Sequence, residues 1–236
     1  MIKNSNIIIT GTSSGVGLKL AEKFLKFENK VWGCSKRESA INHQNYFHTQ
    51  IDLSDAKQIE KWISEVEKQT QKKIDIFISN ASIFQRKLNS LDSHSSIIKT
   101  INVNLISSML LTNLISRSMI QNKKGLIVYF SSVASVVNEI GSTSYAASKS
   151  GLETFSKVVK KELEKFKIKV ATFRILYIPS GLSADLNDKE IDLLTSKFKS
   201  NKFGSDDKIF QEINNLYNQK NITSKSLFYD EMKNEK

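Results

Sequence analysis

The sequence predicts an α/β fold in which a mainly parallel, doubly wound sheet carries helices on both faces. Three observations predict it. A short β-branched run, Asn6-Ile7-Ile8-Ile9-Thr10, gives way through glycines to the helical spacing Val16, Leu20, Phe24 and Phe27. The same strand-then-helix alternation recurs as far as Ile175, and parallel neighbours joined by helical crossovers cover both sheet faces. Finally, 236 residues with 39% apolar and 25% charged side chains suffice for one large core without disulfides or metals.

The elements follow in order. Lys30 to Cys34 reads as the second strand, Ser54 to Gln71 as a helix capped by Ser54, and Ile74 to Ser79 as a strand. Ile97 to Ile120 has the pattern of a long helix, Leu126 to Ser131 of a strand, Ser144 to Phe166 of a helix and Ile168 to Ile175 of another strand. Beyond Asp185 the chain is polar and rich in Lys and Asn; helices are expected at Asp188 to Lys199 and Asp206 to Gln219, and a last short strand at Leu227 to Tyr229. A single domain spanning 1–236 is expected, with a helical segment at 185–220 covering the substrate.

Composition narrows the function classes. The single cysteine, Cys34, forms no intrachain disulfide and fits a reducing compartment. No apolar stretch reads as a signal peptide or spanning helix, so cytoplasmic residence and no membrane partner are expected. The net charge of +11 is spread through helix-like segments beside Glu and Asp. Solvated helix faces explain that better than a nucleic-acid partner.

Thr10-Gly11-Thr12-Ser13-Ser14-Gly15-Val16-Gly17 lies between the first strand and the first helix. Glycines remove the β-carbons that would keep backbone from a phosphate, and the free N–H groups and dipole of a helix start favour an anion. Alone, the turn also fits a plain strand-to-helix reversal. In its setting it reads as a dinucleotide site on a Rossmann-type sheet, with Gly11, Ser13, Ser14, Gly15, Val16 and Gly17 around the pyrophosphate. The tip of the second strand, which faces the adenosine ribose, carries Ser35-Lys36-Arg37. A hydroxyl and two cations suit a 2′-phosphate, so NADP is expected; Glu38 keeps NAD as the alternative.

Tyr145 and Lys149 are four apart near a helix start and project from one face. A phenol of ordinary pKa, roughly 10, is a poor proton donor or acceptor at neutral pH. A neighbouring ammonium pulls it toward the working range. Ser132, 13 positions earlier at the end of a strand, falls on the same carboxyl edge of the sheet, where it can hydrogen-bond a substrate oxygen.

These motifs together resemble the short-chain dehydrogenase/reductase family over roughly residues 5 to 185. The turn has the family's TGxxxGxG form, and Tyr145-Ala146-Ala147-Ser148-Lys149 its YxxxK form, with the serine in register. The resemblance implies that Ser132, Tyr145, Lys149 and Asn104 are catalytic, Asn104 completing a water-linked proton relay. It also implies that Asp52 and Leu53 contact adenine and that Asn80, Ala81 and Ser82 lie beside the cofactor ribose. Tyr145, Lys149, Ile178 and Ser180 would also meet the cofactor, Ser180 through the carboxamide. No metal is implied.

The chain departs from the family pattern in two places. Ser79-Asn80-Ala81-Ser82 stands where NNAG is usual, and Ile175-Leu176 where Pro-Gly is usual. The implied activity is reduction of a ketone or aldehyde, or its reverse, on a small-molecule carbonyl or alcohol. A cofactor-sensing or scaffold protein that kept the fold is the alternative. A homo-oligomer is expected, a dimer through the two long helices over a tetramer.

Overall fold

The computed structural model describes residues 1–137, 139–175 and 205–219. Its single sheet has the strands β1 (Asn6–Thr10), β2 (Lys30–Ser35), β3 (Tyr46–Gln50), β4 (Ile76–Ser79), β5 (Gly125–Ser132) and β6 (Ile168–Ile175). They lie in the order β3-β2-β1-β4-β5-β6, with every neighbouring pair parallel. The helices are α1 (Gly15–Leu25), α2 (Ala56–Thr70), α3 (His94–Ile101), α4 (Ser107–Asn122), α5 (Ala134–Val137), α6 (Thr143–Glu164) and α7 (Asp206–Asn218).

Strand periodicity divides the core. Ile8 of β1 joins Trp32, Phe77, Ile127 and Val170 on the face covered by α2, α4 and α6. Its neighbours Ile7 and Ile9 join Val31, Ile76, Val128 and Phe173 on the opposite face, under α1 and α7. Because successive side chains alternate, a strand covered on both sides must be apolar throughout, as the Ile7-Ile8-Ile9 run is. The α7 helix belongs to this core: Phe210 packs edge-on against Phe24 at 5.0 Å and stacks on Phe27 at 5.9 Å.

Four local features differ from the sequence expectation. Strand β3 has no counterpart among the expected elements; it is an edge strand with the polar sequence YFHTQ, pairing Val31 with Tyr46 through to Ser35 with Gln50. Asp55, not Ser54, caps α2, accepting from the N–H groups of Lys57 and Gln58. Ser54 instead donates its backbone N–H and hydroxyl to Asp52 Oδ1. The long helix begins at His94 and is interrupted by a π-helical segment, Asn102–Ile106.

The fourth difference concerns the whole run His94–Asn122, which is long and apolar enough to cross a membrane by length and composition. Its residues Leu111, Ile115 and Met119 are fully buried in the sheet's core, as in the core helix of an α/β sandwich. The expected helix at Asp188 to Lys199, the strand at Leu227 to Tyr229, and Ile178 and Ser180 lie outside the described residues.

Candidate active site

The strand order reverses between β1 and β4, and ligands of open α/β sheets bind in the crevice at the carboxyl ends of such strands. The two strand ends are stapled there. Thr10 Oγ1 accepts from the backbone N–H groups of Asn80 at 3.0 Å and Ala81 at 2.9 Å, while Asn80 Nδ2 donates to Thr10 O at 2.8 Å. Gly11 turns at φ +76°, and a β-carbon on it would meet Asn80 Nδ2 at 2.8 Å. A β-carbon on Gly17 would lie 2.3 Å from Gly11 O. Both glycines are therefore required by packing.

Ser14 precedes α1 in extended conformation and makes no side-chain cap, so no side chain of the capping residue engages the N–H groups of the first turn, Gly15 to Gly17. Ser13 lies in the same turn, partly buried. An uncapped helix start behind a glycine turn fits the pyrophosphate of a dinucleotide.

Beyond β2, Arg37 donates to Ser14 Oγ at 3.3 Å, which holds the guanidinium over the turn. Lys36 is paired with Asp52 at 3.0 Å, an exposed contact of small energetic weight. Ser54, and then Lys36, hold the Asp52 carboxyl down to about 2. Leu53 is buried. The Ser35 hydroxyl is turned inward, donating to Arg37 O at 2.7 Å and lying 2.7 Å from His48 Nε2. It shapes the loop, and the cations face outward from it.

Around the phenol of Tyr145 the structure gathers residues from three places along the chain. Ser132 stands at the end of β5, its Oγ accepting from Ala134 N at 3.2 Å. Lys149, one turn along α6, is 3% exposed; its Nζ donates to Phe130 O at 2.8 Å and lies 5.7 Å from the Tyr145 ring centre. Ser82 and Phe84 come from the loop after β4, the Phe84 ring tilted against Tyr145 at 4.8 Å. Since Ala81 is bonded to Thr10, this loop joins the tyrosine to the glycine turn.

Asn104, 1% exposed in the π-helical segment, grips the same loop. It accepts from Ile83 N at 2.8 Å and donates to Ile83 O at 2.9 Å and to Ser148 Oγ at 3.2 Å. Its amide is thus engaged with protein partners. Its backbone carbonyl accepts from Ser108 Oγ at a long 3.5 Å.

The electrostatics correct one expectation. Burial holds the Tyr145 phenol above its ordinary value, and the hydroxyls of Ser132 and Ser82 counter part of that rise. Lys149 is itself desolvated and falls to about 8. Its ammonium is directed at a backbone carbonyl and not at the phenol.

A further buried charged group, with no counterpart among the expected site residues, adjoins this constellation. Glu153, one turn beyond Lys149 on α6, is buried. It accepts from Ser131 Oγ and Ser135 Oγ, each at 2.7 Å, and pairs with Arg174 of β6 at 2.8 Å. The signal was available: a glutamate four residues after Lys149 shares its helix face, and an arginine interrupts a buried strand.

The sequence profile described as "short chain dehydrogenase" matches residues 5–191. The chain belongs to that family. Short-chain dehydrogenases are oxidoreductases of CH–OH and C=O groups that use a nicotinamide cofactor, and so is this protein. Curated short-chain dehydrogenases similar to it include the 3-oxoacyl-[acyl-carrier-protein] reductase FabG of Buchnera aphidicola subsp. Baizongia pistaciae. That relative is 30% identical over 205 residues, covering 84% of this chain and 83% of the relative. The enzyme of the same name from Rickettsia conorii is 27% identical over 203 residues, covering 84% and 82%.

Among solved structures, 4-hydroxyisoleucine dehydrogenase complexed with NADH superposes with a TM-score of 0.84 at 24% identity, covering 90% of each chain. A short-chain dehydrogenase from Streptomyces avermitilis superposes at 0.79 with 18% identity, covering 95% of this chain and 87% of that one. Both likenesses concern the fold.

Proposed function

We propose that this chain reduces a ketone or aldehyde with NADPH, and oxidises the alcohol in reverse, through Ser132, Tyr145, Lys149 and Asn104. The observation that carries the reading is the convergence of Tyr145, Ser132 and Lys149 beside the loop that is bonded to the glycine turn. The bound nicotinamide supplies the hydride or accepts it. The turn from Gly11 to Gly17 and the uncapped start of α1 would hold the pyrophosphate, Asp52 and Leu53 the adenine, and Asn80 and Ala81 the ribose.

Arg37, held over Ser14, is the better placed of the two cations for a 2′-phosphate; Lys36 reaches it by leaving Asp52. That arrangement supports NADP over NAD. Both relatives named above are reductases of an oxoacyl group, which supports a ketone as the reacting carbonyl.

Within the site, the Ser132 hydroxyl donates to the substrate oxygen and orients it. Tyr145 delivers the proton to that oxygen in reduction and removes it in oxidation. At neutral pH, below its pKa of about 8, Lys149 keeps its positive charge, which favours the phenolate that remains after proton transfer. Asn104 fixes the backbone of Ile83 and so the loop against which the phenol rests. In the same reading the protein resides in the cytoplasm and acts as a dimer.

Tyr145→Phe tests the assignment. Turnover of NADPH with a carbonyl substrate should fall about a hundred- to ten-thousand-fold, while the Kd for the dinucleotide, read by fluorescence, stays within a factor of two or so. Turnover that survives the substitution would defeat the proposal.

A further inference from the structure

The loop after β4 carries a feature that neither the fold nor the proposed proton transfer requires. Ser82 occupies the position where the resembled family shows glycine, and its Oγ is buried with no hydrogen-bond partner among the described residues. Buried hydroxyls left without a partner are uncommon, because each forgoes the hydrogen bonds that water would give it. The backbone on either side is held firmly. Ala81 N donates to Thr10 Oγ1 at 2.9 Å, and Ile83 is gripped through both its N–H and its carbonyl by Asn104. A residue pinned from both sides keeps its side-chain direction, and the loop is set against Tyr145, whose ring Phe84, two residues on, meets at 4.8 Å; the Ser82 hydroxyl lies close enough to act on the phenol.

We propose that Ser82 is a positioning residue for proton transfer: its hydroxyl donates to the Tyr145 oxygen when that oxygen is a phenolate and so sets the pH at which the enzyme works. The proposal rests on Tyr145 being the proton donor and acceptor. A neutral phenol has a hydrogen of its own and gains little from a second donor. A phenolate accepts from both Ser132 and Ser82, and hydrogen bonds to charged groups are the stronger ones. The difference between the two states stabilises the phenolate. Burial acts in the opposite direction on Tyr145, and the serine hydroxyls are the groups that counter it. An enzyme with glycine at this position lacks one of those two donors.

The variants Ser82→Ala and Ser82→Gly remove the hydroxyl; Ser82→Thr keeps it. In the oxidative direction, where the phenolate must accept a proton, the rising limb of kcat against pH should move up by about one unit in the alanine and glycine variants. It should return toward the parent position in the threonine variant.

A second readout needs no turnover. The ultraviolet tyrosinate band that Tyr145→Phe deletes from a pH titration should appear at higher pH in Ser82→Ala. An unmoved limb together with an unmoved tyrosinate titration overturns the proposal. So does a rise in the dinucleotide KM with the pH profile unchanged, which would assign Ser82 to the cofactor. If Tyr145→Phe itself stays active, the underlying reading fails, independently of anything Ser82 does.

Discussion

Lys149 shows the conflict between stability and function at the scale of one residue. Its ammonium is buried and donates to Phe130 O, and burial lowers its pKa from 10.5 to about 8. A cation that is harder to keep charged in the folded state than in the unfolded one opposes folding wherever the unfolded chain is protonated. The penalty is complete below pH 8, shrinks as pH rises and is gone above 10.5. At one unit per about 1.4 kcal/mol its ceiling is roughly 3 kcal/mol, which the bond to Phe130 partly offsets. Lys149→Met, similar in volume and uncharged, should therefore be inactive yet more stable at pH 7 by about 1–2 kcal/mol. Urea unfolding checks this, and the gain should fade between pH 8 and 10.5. A less stable variant would mean that the hydrogen bond outweighs desolvation.

At the scale of elements, α7 is distant in sequence from the glycine turn but packs against the helix that the turn begins. Ile209, Phe210, Ile213 and Leu216 are all buried on the face shared with α1, and Lys23 of α1 pairs with Asp206 and Asp207 at the helix start. Phe210→Ala removes a ring that contacts both Phe24 and Phe27. It should cost about 3–5 kcal/mol in urea unfolding. A cost under about 1 kcal/mol would show that α7 lies on the core without contributing to it.

How legible each element was follows from the same physics. The Ile7-Ile8-Ile9 run and the periodic helices were readable because two-sided burial writes itself into composition. Strand β3 was not, because its burial alternates weakly and Tyr46-Phe47-His48-Thr49-Gln50 sits at a half-covered edge. The α2 cap was misplaced by one residue because Ser54 and Asp55 both have capping side chains. Only the structure shows Ser54 occupied by Asp52.

The site was legible where spacing along one element decided it, as for Tyr145 and Lys149. Residues that meet across elements, such as Phe84, Glu153 and Arg174, have no fixed spacing to betray them. Asn104 was found, but its hold on Ile83 depends on a π-helical bulge that no local pattern announced.

On the scale of the whole molecule, the proposed dimer sets apolar attraction against charge. Ile98, Ile106 and Met109 are exposed along the α3–α4 run, and Val158 is half exposed on α6. Ile106 and Met109, three apart, share one helix face. Two copies pairing through these helices would bury them, but each copy brings a formal net charge of +11. Like charges oppose close approach at low ionic strength and are screened within about 8 Å at physiological salt. Association should therefore tighten as sodium chloride rises from about 0.02 to about 0.3 M, the reverse of what a dimer held by ion pairs would do. Met109→Glu and Val158→Glu together place carboxylates in the contact and should leave the chain monomeric in sedimentation velocity at every salt concentration. Because both positions are exposed, the melting temperature should barely move. A double variant that still sediments as the parent assembly would exclude the α4 and α6 faces as the interface.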